Sequence, residues 1–372
     1  MRLSRPGIAF LALLVLPALP ALPGLPALLA LGVSACSPGG GGTSDALAPG
    51  DAAAETAGDT VAETAGDAAA EMAGDTAAET AGDTLPADST PDPAGEYATG
   101  DLPSTLGPDD RPAAVVVPAG YAPDREWPLV LLLHGYSADG FLQDGYLGLS
   151  LRLDQAGFIL LRPDGTIDKD GFKFWNAMPA CCDFFGSDVD DEAYLLGLVS
   201  QAKSVFRIDP GRVYLVGHSN GGYMSHRLAC RAAGEFSAAA VLAGSTYAEA
   251  ADCKPARPVS LLAIHGTLDD SVLYDGEKKG PVHGAAAAYP GVEEVVARWK
   301  TLDQCDAAAE DSGNADFDVG VKDAETLRTA WTGCRDGSRV ELWKMVGSGH
   351  IPPITDAFRD ALVAWLLAVD RP

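Results

Sequence analysis

The run Arg212-Val213-Tyr214-Leu215-Val216-Gly217-His218-Ser219-Asn220-Gly221-Gly222 constrains the fold more tightly than any other segment. Val213 to Val216 is a short apolar stretch of the kind found in strands buried on both faces. It passes without a linker into G-x-S-x-G, and a helical pattern bearing Met224, Leu228 and Ala229 follows at once. A strand turning straight into a helix forces the residue at the corner onto strained, exposed backbone. Glycines on either side are needed because strand and helix approach too closely for side chains. Ser219 occupies that corner.

The rest of the chain supplies matching elements. Val115 to Val117, Leu129 to Leu133, Phe158 to Leu161, Ala238 to Leu242, Val259 to Ile264 and Val340 to Val346 all read as strands. Helical patterns lie at Tyr194 to Phe206, from Ser219 to Ala233, at Val292 to Leu302 and at Thr355 to Val369. Strands alternating with helices predict an α/β fold with a mostly parallel sheet covered on both faces. Sites in such sheets lie at the carboxyl ends of the strands.

A serine hydroxyl is a weak nucleophile until an imidazole removes its proton, so Ser219 calls for a later histidine and a carboxylate between them. His265-Gly266-Thr267-Leu268-Asp269-Asp270 follows a strand and offers two adjacent carboxylates, which spacing alone does not rank. The carboxylate would fix the histidine tautomer and stabilise the imidazolium. Of six histidines, only His350, within Gly347-Ser348-Gly349-His350, comes after both other members, and it is expected to be the general base. Developing negative charge on a tetrahedral intermediate needs fixed donors. The backbone N–H groups of Asn220 and of Tyr136, which follows His134-Gly135, are the candidates. Trp175, Tyr136 and Tyr223 are candidate walls for an acyl group, against the commoner role of aromatics as packing.

The N-terminus is a separate matter. Arg2 and Arg5, an apolar stretch from Ile8 to Leu16 and small residues before Cys36 have the layout of an export signal over residues 1–35. Pro17, Pro20, Pro23 and Pro26 would break a membrane-spanning helix. Val33-Ser34-Ala35-Cys36 resembles a bacterial lipoprotein box, which would make Cys36 the lipidated first residue; ordinary cleavage after Ala35 also fits the small residues. From residue 36 to 96 the chain turns to Gly, Ala, Thr, Asp and Glu in an eight-residue repeat (Ala54 to Asp59, Ala62 to Asp67) with no Lys or Arg. One sign of charge and little to bury predict a self-repelling, disordered tether. Residues 97–372 then form one enzyme-sized domain. The formal net charge of −26 argues against nucleic acid as a partner.

Seven cysteines are odd for an exported chain, and setting Cys36 aside leaves six able to pair in an oxidising compartment. Adjacent Cys181 and Cys182 are not expected to bond each other, which removes three of the fifteen connectivities and leaves twelve.

Several blocks in order, from Pro112 onward, resemble secreted esterases that include feruloyl esterases, acetyl xylan esterases and polyhydroxybutyrate depolymerases. They are Pro128 to Gly135, Trp175-Asn176 with Cys181-Cys182, Asp188-Val189-Asp190-Asp191, Arg212 to Gly222, His265 to Asp269 and Gly347 to His350. The resemblance implies an α/β-hydrolase fold and a Ser219, Asp269, His350 triad, and it selects Asp269 over Asp270. It also implies a Cys305–Cys334 disulfide, which would leave Cys181 and Cys182 to share Cys230 and Cys253. His218 departs from the family pattern, which more often has a small or apolar residue there. The acidic stretch from Asp303 to Ala330 looks like an insertion whose acids match no calcium-loop spacing.

The function expected is hydrolysis of carboxylic esters through an acyl-enzyme, with no metal or organic cofactor required. The expected partner is an ester derived from polysaccharide or polyester, the expected state a monomer, and the expected location the extracytoplasmic side of a membrane, through the lipid alone. A peptidase on the same fold and a silent polymer-binding lipoprotein are the competing readings.

Overall fold

The computed structural model describes residues 97–278, 287–306 and 308–371. The export segment, Cys36, the repeat tract and His283 lie outside the described residues.

The chain runs through β1 (Thr105–Leu106), β2 (Ala113–Val116), β3 (Trp127–Leu133), α1 (Gly140–Leu147), α2 (Leu153–Ala156) and β4 (Ile159–Arg162). A hairpin of β5 (Thr166–Ile167) and β6 (Lys173–Phe174) precedes α3 (Asp191–Val205), β7 (Ile208–His218), α4 (Asn220–Arg231), β8 (Ala238–Leu242) and β9 (Ser260–Gly266). Then come β10 (Gly276–Glu277), β11 (Tyr289–Pro290), α5 (Val292–Leu302), β12 (Glu310–Ala315), β13 (Thr326–Trp331), β14 (Val340–Met345) and α6 (Asp356–Leu367).

Ten strands form one sheet in the order β1-β2-β4-β3-β7-β8-β9-β14-β13-β12. The six central strands, β4 to β14 in that order, are all parallel, and two antiparallel strands extend each edge. The pleat sends alternate residues to opposite faces. Leu129, Leu131 and Leu133 of β3 therefore pack with Leu195 of α3, Leu228 of α4 and Val295 of α5. Val130 and Leu132 pack with Leu147 of α1, Leu153 of α2 and Phe358 of α6. A strand buried on both faces must be apolar at every position, and all seven residues of β3 are buried.

This alternation creates the site. The helix after β3 lies on one face and the helix after β7 on the other, so the loops leaving these neighbouring strands part and open a crevice at their carboxyl ends. The loop of β3 contains Gly135-Tyr136 and the loop of β7 is the corner at Ser219.

The acidic insertion is a β-hairpin. β12 and β13 continue the sheet beyond β14, with Thr326 to Trp331 aligned against Met345 to Val340.

Candidate active site

Ser219 sits at φ 55°, ψ −119°, between the last residue of β7 and the first of α4. A side chain at this positive φ is uncommon and strained, and its occurrence at a functional corner is a known use of strain. Crowding enforces the corner: a Cβ at Gly221 would strike the carbonyls of Leu133 and His134, and one at Gly217 would strike Gly221 and the Ser225 hydroxyl. The glycines are thus required by the close approach of α4 to β3 and β7.

His350 reaches this serine from the loop after β14. Its Nε2 lies 2.9 Å from Ser219 Oγ, and its Nδ1 lies 2.8 and 3.0 Å from the two carboxylate oxygens of Asp269. The three side chains form one hydrogen-bonded line. A carboxylate only accepts, so Nδ1 carries the proton and Nε2 is left to accept from the hydroxyl. Asp270, the neighbouring candidate, is exposed and accepts only from Ser271 Oγ at 3.4 Å among the bonds seen.

Asp269 is buried, and burial opposes its ionisation. Hydrogen bonds from His265 and His350 outweigh that penalty and hold its carboxyl well below the usual range. The amides of Ser271 and Val272 also donate to Oδ1 at 2.9 and 2.8 Å. His265 Nε2 lies 2.7 Å from the Val272 carbonyl and 3.3 Å from Asp269 Oδ2, so one N–H braces both. His265 is a supporting residue that strand-end position alone did not single out.

The β3 turn lies against the nucleophile: a Cβ built on Gly135 would stand 3.4 Å from Ser219 Cβ. The hairpin of β5 and β6 holds this turn. Gly165 N–H donates to His134 Nε2 (2.8 Å), Ser137 N–H to the Lys173 carbonyl (2.9 Å) and Tyr136 Oη–H to Asp168 (2.6 Å). Asn220, first residue of α4, follows the serine directly, and Gly135, next to Tyr136, is the residue of the β3 turn that comes up against it. Burial lowers the pKa of His134 and keeps it neutral, consistent with its Nε2 accepting a hydrogen bond.

Trp175 and Tyr223, candidate walls for an acyl group, are both buried in the core. Trp175 is instead a prop. Its N–H donates to Asn220 Oδ1 at 2.7 Å, Asn220 Nδ2 donates back to its carbonyl at 2.9 Å, and its indole donates to the His134 carbonyl at 3.0 Å. One residue, through its main chain on one side and its indole on the other, therefore ties together both loops that flank Ser219. Behind it, Asn176 N–H donates to Asp191 at 2.7 Å, and Asp191 pairs with Arg111 at 2.7 Å, which places the Trp175-Asn176 and Asp188 to Asp191 blocks in one network. The aromatics at the rim are others. Phe172 and Phe184 pack on Tyr136 with ring centres 5.8 and 5.3 Å away, and Phe172 is 45% exposed.

Cys305 and Cys334 are bonded. The other expected pairings require correction: Cys181 bonds Cys182, and Cys230 bonds Cys253. The expectation that adjacent Cys181 and Cys182 would not bond each other is thus overturned; the peptide between them is cis, with Cα atoms 3.0 Å apart. The Cys230 link joins the C-terminal end of α4 to the loop before β9, and so braces the helix at the end away from Ser219.

Residues 112–321, more than half of the chain, match the family model described as esterase PHB depolymerase. Feruloyl esterase B of Piromyces equi is 27% identical over 64% of this chain, and the bifunctional acetylxylan esterase/xylanase XynS20E of Neocallimastix patriciarum is 27% identical over 66%. The matched regions span 42% and 32% of those two proteins. Among solved structures, acetyl xylan esterase from Aspergillus awamori aligns with a TM-score of 0.48 at 17% identity, over 72% of this chain and 99% of that one. By the extent of the family match, this chain belongs to the esterase PHB depolymerase family.

Proposed function

We propose that the chain hydrolyses carboxylic esters through an acyl-enzyme on Ser219. The observation that carries this reading is the unbroken hydrogen-bonded line from Ser219 Oγ through His350 to Asp269. His350 Nε2 takes the hydroxyl proton as Oγ attacks the ester carbonyl, and the imidazolium formed is stabilised by ionised Asp269. The carbonyl oxygen, now negative, is received by the N–H groups of Asn220 and Tyr136. The imidazolium returns its proton to the leaving alkoxide, the alcohol departs, and water activated by His350 releases the acid and restores Oγ–H.

An aromatic acyl group fits the surroundings best. Tyr136, Phe172 and Phe184 form a ring-lined shelf beside the turn that touches Ser219. Aromatic faces bind rings in offset or edge-on packing. The hydroxycinnamate ester named in one relative and the acetyl ester named in another are the natural alternatives to compare.

The test is turnover of methyl ferulate, acetylated xylan and hydroxybutyrate oligomers, with Ser219→Ala as control. Ferulate turnover that falls about 10⁴-fold or more in the variant supports the reading. Failure of a fluorophosphonate to label the folded wild-type protein would remove Ser219 as nucleophile, and cleavage of amino-acid anilides in place of esters would make the protein a peptidase. Phe172→Ala should raise KM for methyl ferulate several-fold and leave KM for nitrophenyl acetate within about twofold, since a single apolar contact is worth about 1 kcal/mol.

The domain is proposed to be exported and held to a membrane by a lipid on Cys36, with residues 36–96 as its tether. Support comes from the lipoprotein-like box and the acidic repeat. Incorporation of labelled fatty acid that disappears in Cys36→Ala would bear this out, and release of unlabelled wild-type protein would refute it.

A further inference from the structure

His218, the second residue of the G-x-S-x-G turn, neither attacks the ester nor takes a proton from Ser219, yet its ring lies against the triad. Its Nε2 is 3.0 Å from the main-chain carbonyl of His350, and its ring centre is 5.1 Å from that of His350. A carbonyl accepts only, so Nε2 must carry the hydrogen. On its other side the ring packs 5.7 Å from Tyr146 of α1, whose hydroxyl donates to the Pro352 carbonyl at 2.8 Å. Two carbonyls of the same loop, those of His350 and Pro352, are thereby held by donors from two different elements.

We propose that His218 is a positioning residue for His350: its Nε2–H fixes the backbone from which the imidazole projects, so that Nε2 of His350 meets Ser219 Oγ at bonding distance. This rests on the reading of His350 as the general base. Asp269 fixes the far end of that imidazole, and the β9 end pins the start of the loop, with Leu268 N–H donating to the Ser348 carbonyl and Gly347 N–H to Thr267 Oγ1, each at 2.9 Å. Gly349 still separates that anchor from His350, so the His218 bond to the His350 carbonyl is what carries it to the residue that bears the imidazole.

The donor is constant over the working range of pH. His218 is buried and its pKa is pushed down to about 3, chiefly by desolvation and then by the neighbouring His350, against the opposing effects of the His350 carbonyl and Asp269. The groups facing it are His350 from the loop after β14, Asp269 and His265 from the β9 end, Tyr146 from α1 and Gly135 from β3. A neutral ring also avoids setting a second positive charge beside the imidazolium that forms during turnover.

The deciding experiment compares wild type with His218→Leu, His218→Asn and His218→Gln, by kcat and KM on nitrophenyl acetate and by the rate of fluorophosphonate labelling. A glutamine amide reaches the place of Nε2, whereas an asparagine amide stops near Nδ1 and leucine donates nothing. Leu and Asn should lower kcat and labelling rate about 10- to 100-fold with KM within about twofold, the scale of a misplacement near 1 Å. Gln should recover most of both rates. Equal rates in Leu, Asn and wild type, or equal losses in Asn and Gln, would overturn the positioning role. The Asn and Gln pair decides the matter even where Leu does not fold. Absence of labelling in wild type would instead sink the reading of Ser219 and His350 on which the inference stands.

Discussion

Asp269 shows how much one side chain is asked to do. It accepts from Ser271, Val272, His265 and His350, so replacing it with asparagine keeps the volume while offering an N–H where His350 expects an acceptor. The wrong tautomer of His350 is then favoured, and kcat should fall about 10⁴-fold, with a lower Tm at neutral pH because the bonds that favour the ionised carboxylate are weakened, as read by ester turnover and circular dichroism. Asn220 is the opposite case. Its backbone N–H is assigned to the oxyanion, but its buried amide also carries both main-chain groups of Trp175. Asn220→Ala leaves a donor and an acceptor unpaired, each costing about 1–3 kcal/mol, so a lower Tm should accompany its loss of kcat. Ser219 and His350 could be singled out from chain order and flanking glycines, whereas the choice of Asp269 over Asp270 came from the family resemblance alone, and the structure brings the three within hydrogen-bonding reach. The bracing by His265, His218 and Asn220 was not legible. It depends on where side-chain atoms fall after loops distant in sequence converge, and nothing in the local pattern encodes that.

Among the elements, the central strands were legible because burial on both faces demands unbroken apolar runs, as in Trp127–Leu133 and Ser260–Gly266. The helices α3, α4, α5 and α6 followed from their periodicity. What escaped was polar or short: the β5 and β6 hairpin has two-residue strands, and β12 is Glu-Asp-Ser-Gly-Asn-Ala, with no alternation to mark it. Its register is imposed by β13, which pairs in turn with β14. The disulfides act at this scale. Cys305–Cys334 spans 29 residues and Cys230–Cys253 spans 23, and closing loops of that size stabilises by about 3–4 kcal/mol each in the chain-entropy account. Cys230→Ala with Cys253→Ala should therefore lower Tm by roughly 5–15 °C, while kcat measured well below the transition changes little, because the bond lies at the far end of α4.

For the molecule as a whole, stability carries a pH signature from Asp303, which follows α5 beside the Cys305 link. Burial raises its carboxyl from 3.8 to about 7, only partly opposed by Ser338, the Val259 amide and Arg335, and neither oxygen gains a well-formed hydrogen bond. The unfolded chain releases this proton near pH 4 and the folded one near pH 7, so between those values the native state binds more protons. Its contribution is therefore fully present below about pH 4, declines as pH rises and is lost above about 7. Asp303→Asn should raise Tm by several degrees at pH 8 and leave it nearly unchanged at pH 4, as followed by thermal melts across that range. A related acid effect arises at the margin of the sheet, where β12 has no strand partner on its outer side among the described residues and offers that side exposed carboxylates and a register shift between Asp311 and Asn314. Like charge and a kink are what keep a second molecule from adding its own strand there. Acidification erases the first of these guards, so a vinegar-sour solution is where this chain would begin to cling to its own kind, ribbon against ribbon.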